Sequence, residues 1–378
     1  MKGIIIGGGI AGLTTAIALR QAGLEVEVHE AAPALKPVGA GISLSINAMR
    51  VYRSLGLHEA ITANGAPAHH LRACDHRQRV INETDGRKYA AQYGVGFVLI
   101  HRARLQDTLL AALPEGIVHT GRRLARFEDN GSSVEAHFED GHVAKGDFLI
   151  GADGIHSATR HQLFPEAQLR YSGQTCWRGI TQFSLTSDAS NIQFEAWGGE
   201  YRFGCTPVGF GEVYWFAVQT APAGGKDSAA KLNEHLAERY AHFASPVPEL
   251  LKATDASHII RSDLYDLAPM PKWHHGRVLL IGDAAHATTP NMGQGGCQAA
   301  EDAHYLRKLF VKGMALPELF AEFERIRRPK VDWVVNNSWR FGQVAHWRYG
   351  KGLRNALMRM MPKSAMEKQL HRVFDIEE

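Results

Sequence analysis

The sequence predicts an α/β fold in three parts: a Rossmann-like domain, an antiparallel β-sheet inserted into it, and C-terminal helices. Three stretches carry that expectation. The chain opens on an apolar run that breaks into closely spaced glycines. A second apolar run, residues 276–282, ends in another glycine-rich loop. Between them, residues 168–263 read as long strands rich in Thr, Trp, Phe and Tyr, bounded by turn residues.

Residues 2–6 are too short and too apolar for a surface helix and read as a buried parallel strand. Gly7, Gly9 and Gly12 follow at G-x-G-x-x-G spacing. The first makes a tight turn, the second lets the backbone approach a pyrophosphate, and the third lets helix and strand pack closely. The helix they open, read over residues 13–21, stops at Gly23, and its N-terminus offers free N–H groups and a positive dipole end to phosphate. A second strand, 24–30, ends in Glu30, about where an acid holds an adenosine ribose. Together these make a βαβ dinucleotide site.

The loop through Gly39 and Gly41 is too rich in Pro and Gly for helix and is expected to pass close to the cofactor. Residues 47–55 form an amphipathic helix, 69–90 are polar and strand-like, and 97–100 are an apolar strand. Arg102 starts a helix running to residue 113; a cation at that end calls for an anion partner, here a phosphate or flavin contact. Residues 123–150 read as a three-stranded meander broken at Asn130-Gly131 and Asp140-Gly141, with 147–150 as its last strand. Asp153-Gly154 then turns into a helix carrying Ser157 and Arg160 one turn apart.

In the inserted sheet most rings read as core. Arg202 and Tyr214, polar groups set between apolar neighbours, read as facing a pocket. Asp283 follows the strand 276–282 directly and so lies at the carboxyl edge of the sheet, where ligands bind. The loop through Pro290, Asn291, Gly293, Gln294, Gly295 and Gly296 leads into a helix and presents unpaired N–H groups. Residues 316–378 read as helical, with a break at Pro329.

With 378 residues the chain suffices for two domains. The expected division is residues 1–73, 97–167 and 264–330 as a discontinuous nucleotide-binding domain, 74–96 and 168–263 as the sheet domain, and 331–378 as a helical segment. A formal charge of +3 is too small to imply nucleic acid as a partner. Cys74, Cys176, Cys205 and Cys297 form no C-x-x-C pair, so neither a zinc site nor a dithiol motif is expected, and no metal is assigned. No apolar run reaches a membrane-spanning length, and a cytoplasmic monomer or homodimer is expected.

Taken together, these motifs resemble the single-component (group A) flavoprotein aromatic hydroxylases over nearly the whole chain. Gly7, Gly9, Gly12 and Glu30 fit that family's FAD-binding finger; Asp153-Gly154 with Ser157 and Arg160 fit its D-G motif; Gly282-Asp283 with Pro290, Gly293, Gln294 and Gly295 fit its second FAD motif. The resemblance implies a p-hydroxybenzoate hydroxylase-like fold, with Glu30 on the ribose, Asp283 on the ribityl chain, Arg102 on the pyrophosphate side and residues 293–296 at the flavin ring. Within the family the sequence looks most like bacterial urate hydroxylases and alkylquinolone 3-hydroxylases. Arg202 and Tyr214 match an Arg and a Tyr of the urate site, whereas Asn291 and the stretch 172–178 look like the quinolone enzymes.

What the resemblance implies is an NAD(P)H-dependent monooxygenase. FAD, NADH or NADPH, and molecular oxygen would hydroxylate a planar aromatic or N-heteroaromatic molecule through a flavin C4a-hydroperoxide, with Arg202, Tyr214 and Asn291 at the substrate. No Ser/His/Asp or paired-carboxylate constellation stands out, so the hard step belongs to the cofactor. With no second G-x-G-x-x-G, the nicotinamide nucleotide docks in a shared cleft. His286, after an Asp at a strand end, reads as a structural hydrogen-bonder rather than a base. The alternatives are a urate-type hydroxylase of the same family and a non-oxygenating FAD protein that acts as a redox-responsive binding module; a halogenase lacks its W-x-W-x-I-P signature here.

Overall fold

The computed structural model describes residues 1–35, 40–347 and 349–377. At its centre is a six-stranded sheet built around Lys2–Ile6. Parallel neighbours Glu25–His29 and Phe148–Gly151 flank that strand; Val118–His119 lies outside the first, and Val278–Leu280 outside the second, with antiparallel His274–His275 at the edge. Successive side chains enter opposite layers. Ile5, Phe148, Ile150 and Leu279 pack beneath the helices Ile10–Gln21 and Gly295–Val311. Ile4, Ile6, Leu149 and Val278 pack on a meander of Leu124–Asp129, Val134–Phe138 and Val143–Gly146. Burial on both faces is why these strands read as unbroken apolar runs.

The second large sheet has seven strands, in the order Ile260–Leu267, Leu169–Gln182, Glu212–Thr220, Tyr201–Pro207, Ile192–Trp197, His70–Asp75 and Val80–Asp85. Its two faces differ in chemistry. Trp177, Phe194, Phe203, Val213, Trp215 and Ala217 point to one side, where they form an aromatic core beneath the helices Leu232–Tyr240 and Val247–Ala253. Cross-strand partners share a face. The pairs Trp197–Arg202, Arg202–Val218 and Thr206–Tyr214 therefore place Arg202 and Tyr214 on the opposite side. A small sheet of Gly41–Leu44, Phe97–His101 and Gly65–Ala68 stands between the two large ones.

Several expectations need correction. The first helix begins at Ile10, so Gly12 lies inside it. Residues 147–150 do not close the meander: Val143–Gly146 does, and Phe148–Gly151 belongs to the central parallel sheet. The strand-like reading of 69–90 fails at Gly86, where Asp85 caps the helix Gly86–Tyr93 by accepting the Arg87 N–H. The inserted sheet is mixed, because Ile192–Trp197 pairs in parallel with His70–Asp75. Pro329 does not break the chain: Leu316–Ala345 is one helix, in which burial of Phe323, Val331 and Val334 and the bonds of Arg327 offset the hydrogen bond that proline forgoes. The strands His70–Asp75 and Ile260–Leu267 and the helix Leu316–Ala345 run unbroken across positions 73/74, 263/264 and 330/331.

All four cysteines are buried and free. Among the described residues no helix is long and apolar enough to cross a membrane.

His29, at the end of a central strand, is buried among His119, His142 and Phe138. Burial, reinforced by the nearby His119 and His142, lowers its pKa from the ordinary 6.5 to about 3. The unfolded state therefore binds the extra proton first, and stability should fall as pH drops below about 6.5 toward 3. Denaturant titrations across that range should show a shallower acid loss for His29→Phe than for the parent; equal slopes would count against this account.

Candidate FAD and substrate site

At the mouth of the central sheet the chain leaves Lys2–Ile6 through Gly7, whose φ of +108° suits glycine and whose added Cβ would stand 2.4 Å from the Ala152 carbonyl oxygen. A Cβ on Gly12 would come within 1.9 Å of the Gly7 oxygen, so helix and turn are in direct contact. Gly9, the N-cap, has nothing within 4 Å on that side, and no side chain caps the helix it opens. Its first-turn N–H groups are thus available to a phosphate. Glu30 is held in place by accepting the Gly8 N–H at 2.7 Å and the Ala32 N–H at 2.8 Å. A cavity of about 260 Å³ joins Gly7, Gly9 and Glu30 to Arg122, Asp153 and Gly154. Its open helix end, oriented acid and neighbouring cation fit the adenosine diphosphate half of FAD.

Asp153 accepts the Ser157 hydroxyl at 2.5 Å and the Thr159 N–H at 2.9 Å, while Ser157 caps the helix Ala158–Leu163 through the Arg160 N–H. Arg160 is buried. Its guanidinium donates to the carbonyls of Ile155 at 2.5 Å and Ala284 at 3.1 Å, which ties the D-G turn to the segment carrying Asp283. Asp283 is exposed at the start of the short helix Asp283–His286. Surrounding protein raises its pKa against the pull of His286, Arg102 and Arg160. Arg102, exposed at the head of the helix Arg102–Ala111, has no hydrogen bond or ion pair to its side chain among the described residues. Gly293, with φ +62°, turns the chain after Pro290–Met292 into the helix Gly295–Val311. That helix also starts without a side-chain cap, leaving the amides near Gly295 and Gly296 for a ligand.

The Gln294 side chain points inward, so only its backbone remains for the cofactor. It accepts from Asn47 at 3.0 Å and Gln298 at 3.1 Å, at the edge of a buried polar network. Arg327 is the hub. It donates to Glu301 at 2.6 Å, to Asp302 at 2.8 Å and to the Gln298 side chain at 2.8 Å. Asp302 also accepts the Gly282 N–H at 2.9 Å and bonds His286 Nε2 at 2.7 Å. Burial opposes the charge of Asp302, yet His286 and Arg327 hold its carboxyl below the usual range. His286 is thereby a structural hydrogen-bonder.

On the substrate side, Arg202 is 2% exposed, and both Nε and Nη2 lie 2.7 Å from Glu195 Oε1, which also accepts Trp197 Nε1 at 2.6 Å. Its Nη1 donates to Asn291 Oδ1 at 2.7 Å. The Asn291 amide nitrogen donates to Thr289 Oγ1 and the Ser338 carbonyl at 2.9 and 3.0 Å. Expected beside the substrate's ring atoms, Asn291 instead spends its amide on protein partners. Tyr214 is partly buried; burial raises its phenol pKa against the pull of Arg178. A Cβ on Gly41 would stand 2.5 Å from the Tyr214 ring, so Gly41 lets its strand lie against the seven-stranded sheet. Gly39 lies outside the described residues.

Sequence reasoning missed Arg122, Glu195, Thr289, Ser338 and Gln193, which accepts the Ser43 hydroxyl at 3.0 Å. Strand alternation offers a signal for two of them, since Gln193 and Glu195 interleave with the buried Ile192, Phe194 and Ala196. Ser338 has no local signal; it reaches Asn291 only because a helix 47 residues further along the chain packs there.

A dinucleotide cleft joined to a polar sheet face defines a flavoprotein with a separate substrate wall. Residues 1–338 match the FAD binding domain family, and the chain belongs to it, as an FAD-dependent monooxygenase that uses NAD(P)H and molecular oxygen. It is 39% identical over 371 residues to aurachin C monooxygenase/isomerase of Stigmatella aurantiaca, covering 98% of this chain and 96% of that one. It is 34% identical to the FAD-dependent urate hydroxylase of Klebsiella oxytoca, covering 92% and 91% of the two chains. Klebsiella pneumoniae HpxO complexed with FAD and uric acid superposes with a TM-score of 0.91 at 30% identity, over 99% of this chain and 96% of that one.

Two measurements test the site. Asp283→Ala should weaken FAD binding by about 1–3 kcal/mol in flavin-fluorescence titrations, because a ribityl hydroxyl loses its acceptor; unchanged affinity would remove Asp283 from the site. Arg327→Ala should lower unfolding stability by about 3–5 kcal/mol, since buried Asp302 loses its guanidinium partner and Glu301 keeps only Lys330. A loss below 1 kcal/mol in urea titration would show that the network does not hold the fold.

Proposed function

We propose that this monooxygenase hydroxylates a neutral, moderately apolar N-heteroaromatic or phenol, such as a 4-quinolone, at a ring carbon beside its oxygen. The observation that carries the reading is the compensated charge of Arg202. Glu195 neutralises the guanidinium inside the protein, so Arg202 is not left as a free cation to balance an anionic ring. Asn291 and Glu195 orient Arg202, a donor-rich plane, and Tyr214 adds a hydroxyl on the same face. In this assignment Arg202 and Tyr214 touch the substrate, and Asn291 is a positioning residue.

FAD, once bound and reduced by a nicotinamide nucleotide, supplies the oxygen-transfer chemistry. The chain contributes the rest. Gly7 to Gly12, Glu30, Arg160 and Asp283 hold and orient the cofactor, and the helix starting at Gly295 favours negative charge at the adjoining end of the flavin ring. The sheet segments 74–96 and 168–263 form the substrate-side unit.

The activities for which two relatives are named agree with a quinolone-like ring. One is the aurachin C enzyme; the other is 2-heptyl-3-hydroxy-4(1H)-quinolone synthase of Pseudomonas aeruginosa, 30% identical over 99% of this chain and 98% of that one. Urate hydroxylation is the second reading, favoured by the Klebsiella oxytoca relative and the HpxO–uric acid structure.

Stopped-flow NAD(P)H oxidation with quinolones, phenols and urate separates them. Quinolones or phenols should accelerate flavin reduction while urate does little; robust turnover of urate with quinolones and phenols inert would overturn the proposal. Arg202→Ala should raise the substrate KM or abolish stimulation while leaving the FAD spectrum intact, and full retention of stimulation would remove Arg202 from the substrate wall.

A further inference from the structure

The helix Lys351–Arg359 is inside out. Arg354 faces inward, 2% exposed, with its guanidinium 4.9 Å from the Trp197 ring centroid and bonded to the Ala345 carbonyl at 2.6 Å. Leu353 and Leu357 on its outer side are 65% and 56% exposed, and Met360, one turn beyond, is 77% exposed. These positions follow i, i+4, i+7 spacing and so share one face. Trp347 and Met361 add 47% and 38% exposure nearby. Of the twelve large hydrophobic residues exposed among the described ones, six lie between residues 347 and 361.

The charge of the chain segment that carries this face is one-sided. From 333 to 366 the sequence has no Asp or Glu, yet it carries Arg340, Arg348, Lys351, Arg354, Arg359 and Lys363, in a chain whose formal net charge is only +3. Arg359, Lys351 and Lys363 are exposed beside the apolar residues. Apolar side chains ringed by cations are the composition of a helix that lies in a lipid interface. A protein partner would instead call for interspersed charges of both signs at the rim.

We propose that this face, centred on Leu353, Leu357 and Met360 and flanked by Lys351, Arg359 and Lys363, docks peripherally on an anionic phospholipid surface. Its position makes the docking useful. Trp197, against which Arg354 packs, shares Glu195 with Arg202, so one layer of side chains separates the lipid-facing helix from the substrate wall. An apolar substrate dissolved in the bilayer is then delivered beside the site. The docking itself does not depend on which ring is hydroxylated.

The test uses the full-length FAD-loaded protein in co-sedimentation with two kinds of vesicle, phosphatidylcholine alone and phosphatidylcholine mixed with phosphatidylglycerol. Binding should be confined largely to the anionic vesicles and fall as salt rises. The triple variant Leu353→Ser, Leu357→Ser, Met360→Ser should lose roughly tenfold or more in partitioning. The pair Lys351→Glu, Lys363→Glu, which leaves the apolar face intact, should lose the preference for anionic lipid. An unchanged flavin spectrum and melting temperature establish that each variant is folded. Absence of sedimentation with anionic vesicles, or binding that both variants retain, overturns the proposal. So does a homodimer that forms without lipid and is abolished by the triple variant, because the face then belongs to a second copy of the chain.

Discussion

The arrangement of the site depends on one buried cation. Arg327 sits in the middle of the long helix Leu316–Ala345 and is shared by Glu301, Asp302 and Gln298. Through Asp302 it fixes the Gly282 amide, and hence the strand end that carries Asp283. Through Glu301 and Gln298 it reaches Asn47 and Gln294, one residue before the helix Gly295–Val311. A charge so deep is costly on its own and tolerable only with every partner present. The network therefore holds the second FAD motif in position far more than it adds stability.

A second constraint is the division of labour across the seven-stranded sheet. Trp177, Phe203 and Trp215 are spent on a core beneath two short helices. This frees the opposite face for polar side chains that would be expensive in a core. Arg202 is tolerated there because Glu195 balances its charge and Asn291 accepts a further N–H.

Much of this was legible in the sequence. The βαβ unit from Lys2 to Glu30 and the segment around Asp283 are local motifs read from backbone geometry, and the structure sets Gly7, Gly9 and Glu30 along one cavity. The polar face of the sheet was half legible: Arg202 stood out as a cation among apolar neighbours, while Glu195 and Gln193 were hidden in a strand read as aromatic core. What stayed illegible depends on packing between distant elements. Asn291 looked like a ligand contact because its partners, Thr289, Ser338 and Arg202, gather from three separate parts of the chain. Pro329 and Gly86 misled for a related reason, since local preference lost to burial in one case and to a capping aspartate in the other.

The central sheet has a consequence for how the protein is made. Lys2–Ile6 leaves the ribosome well ahead of its neighbour Phe148–Gly151, which follows about 145 residues later, and Val278–Leu280, which pairs with that neighbour, comes later still. At ordinary synthesis rates, on the order of 5–20 residues per second, the opening strand waits several seconds or more for its partner, with an apolar edge exposed. Folding of the nucleotide half is thus postponed until most of the chain exists. Its demand for chaperone protection is concentrated in that interval.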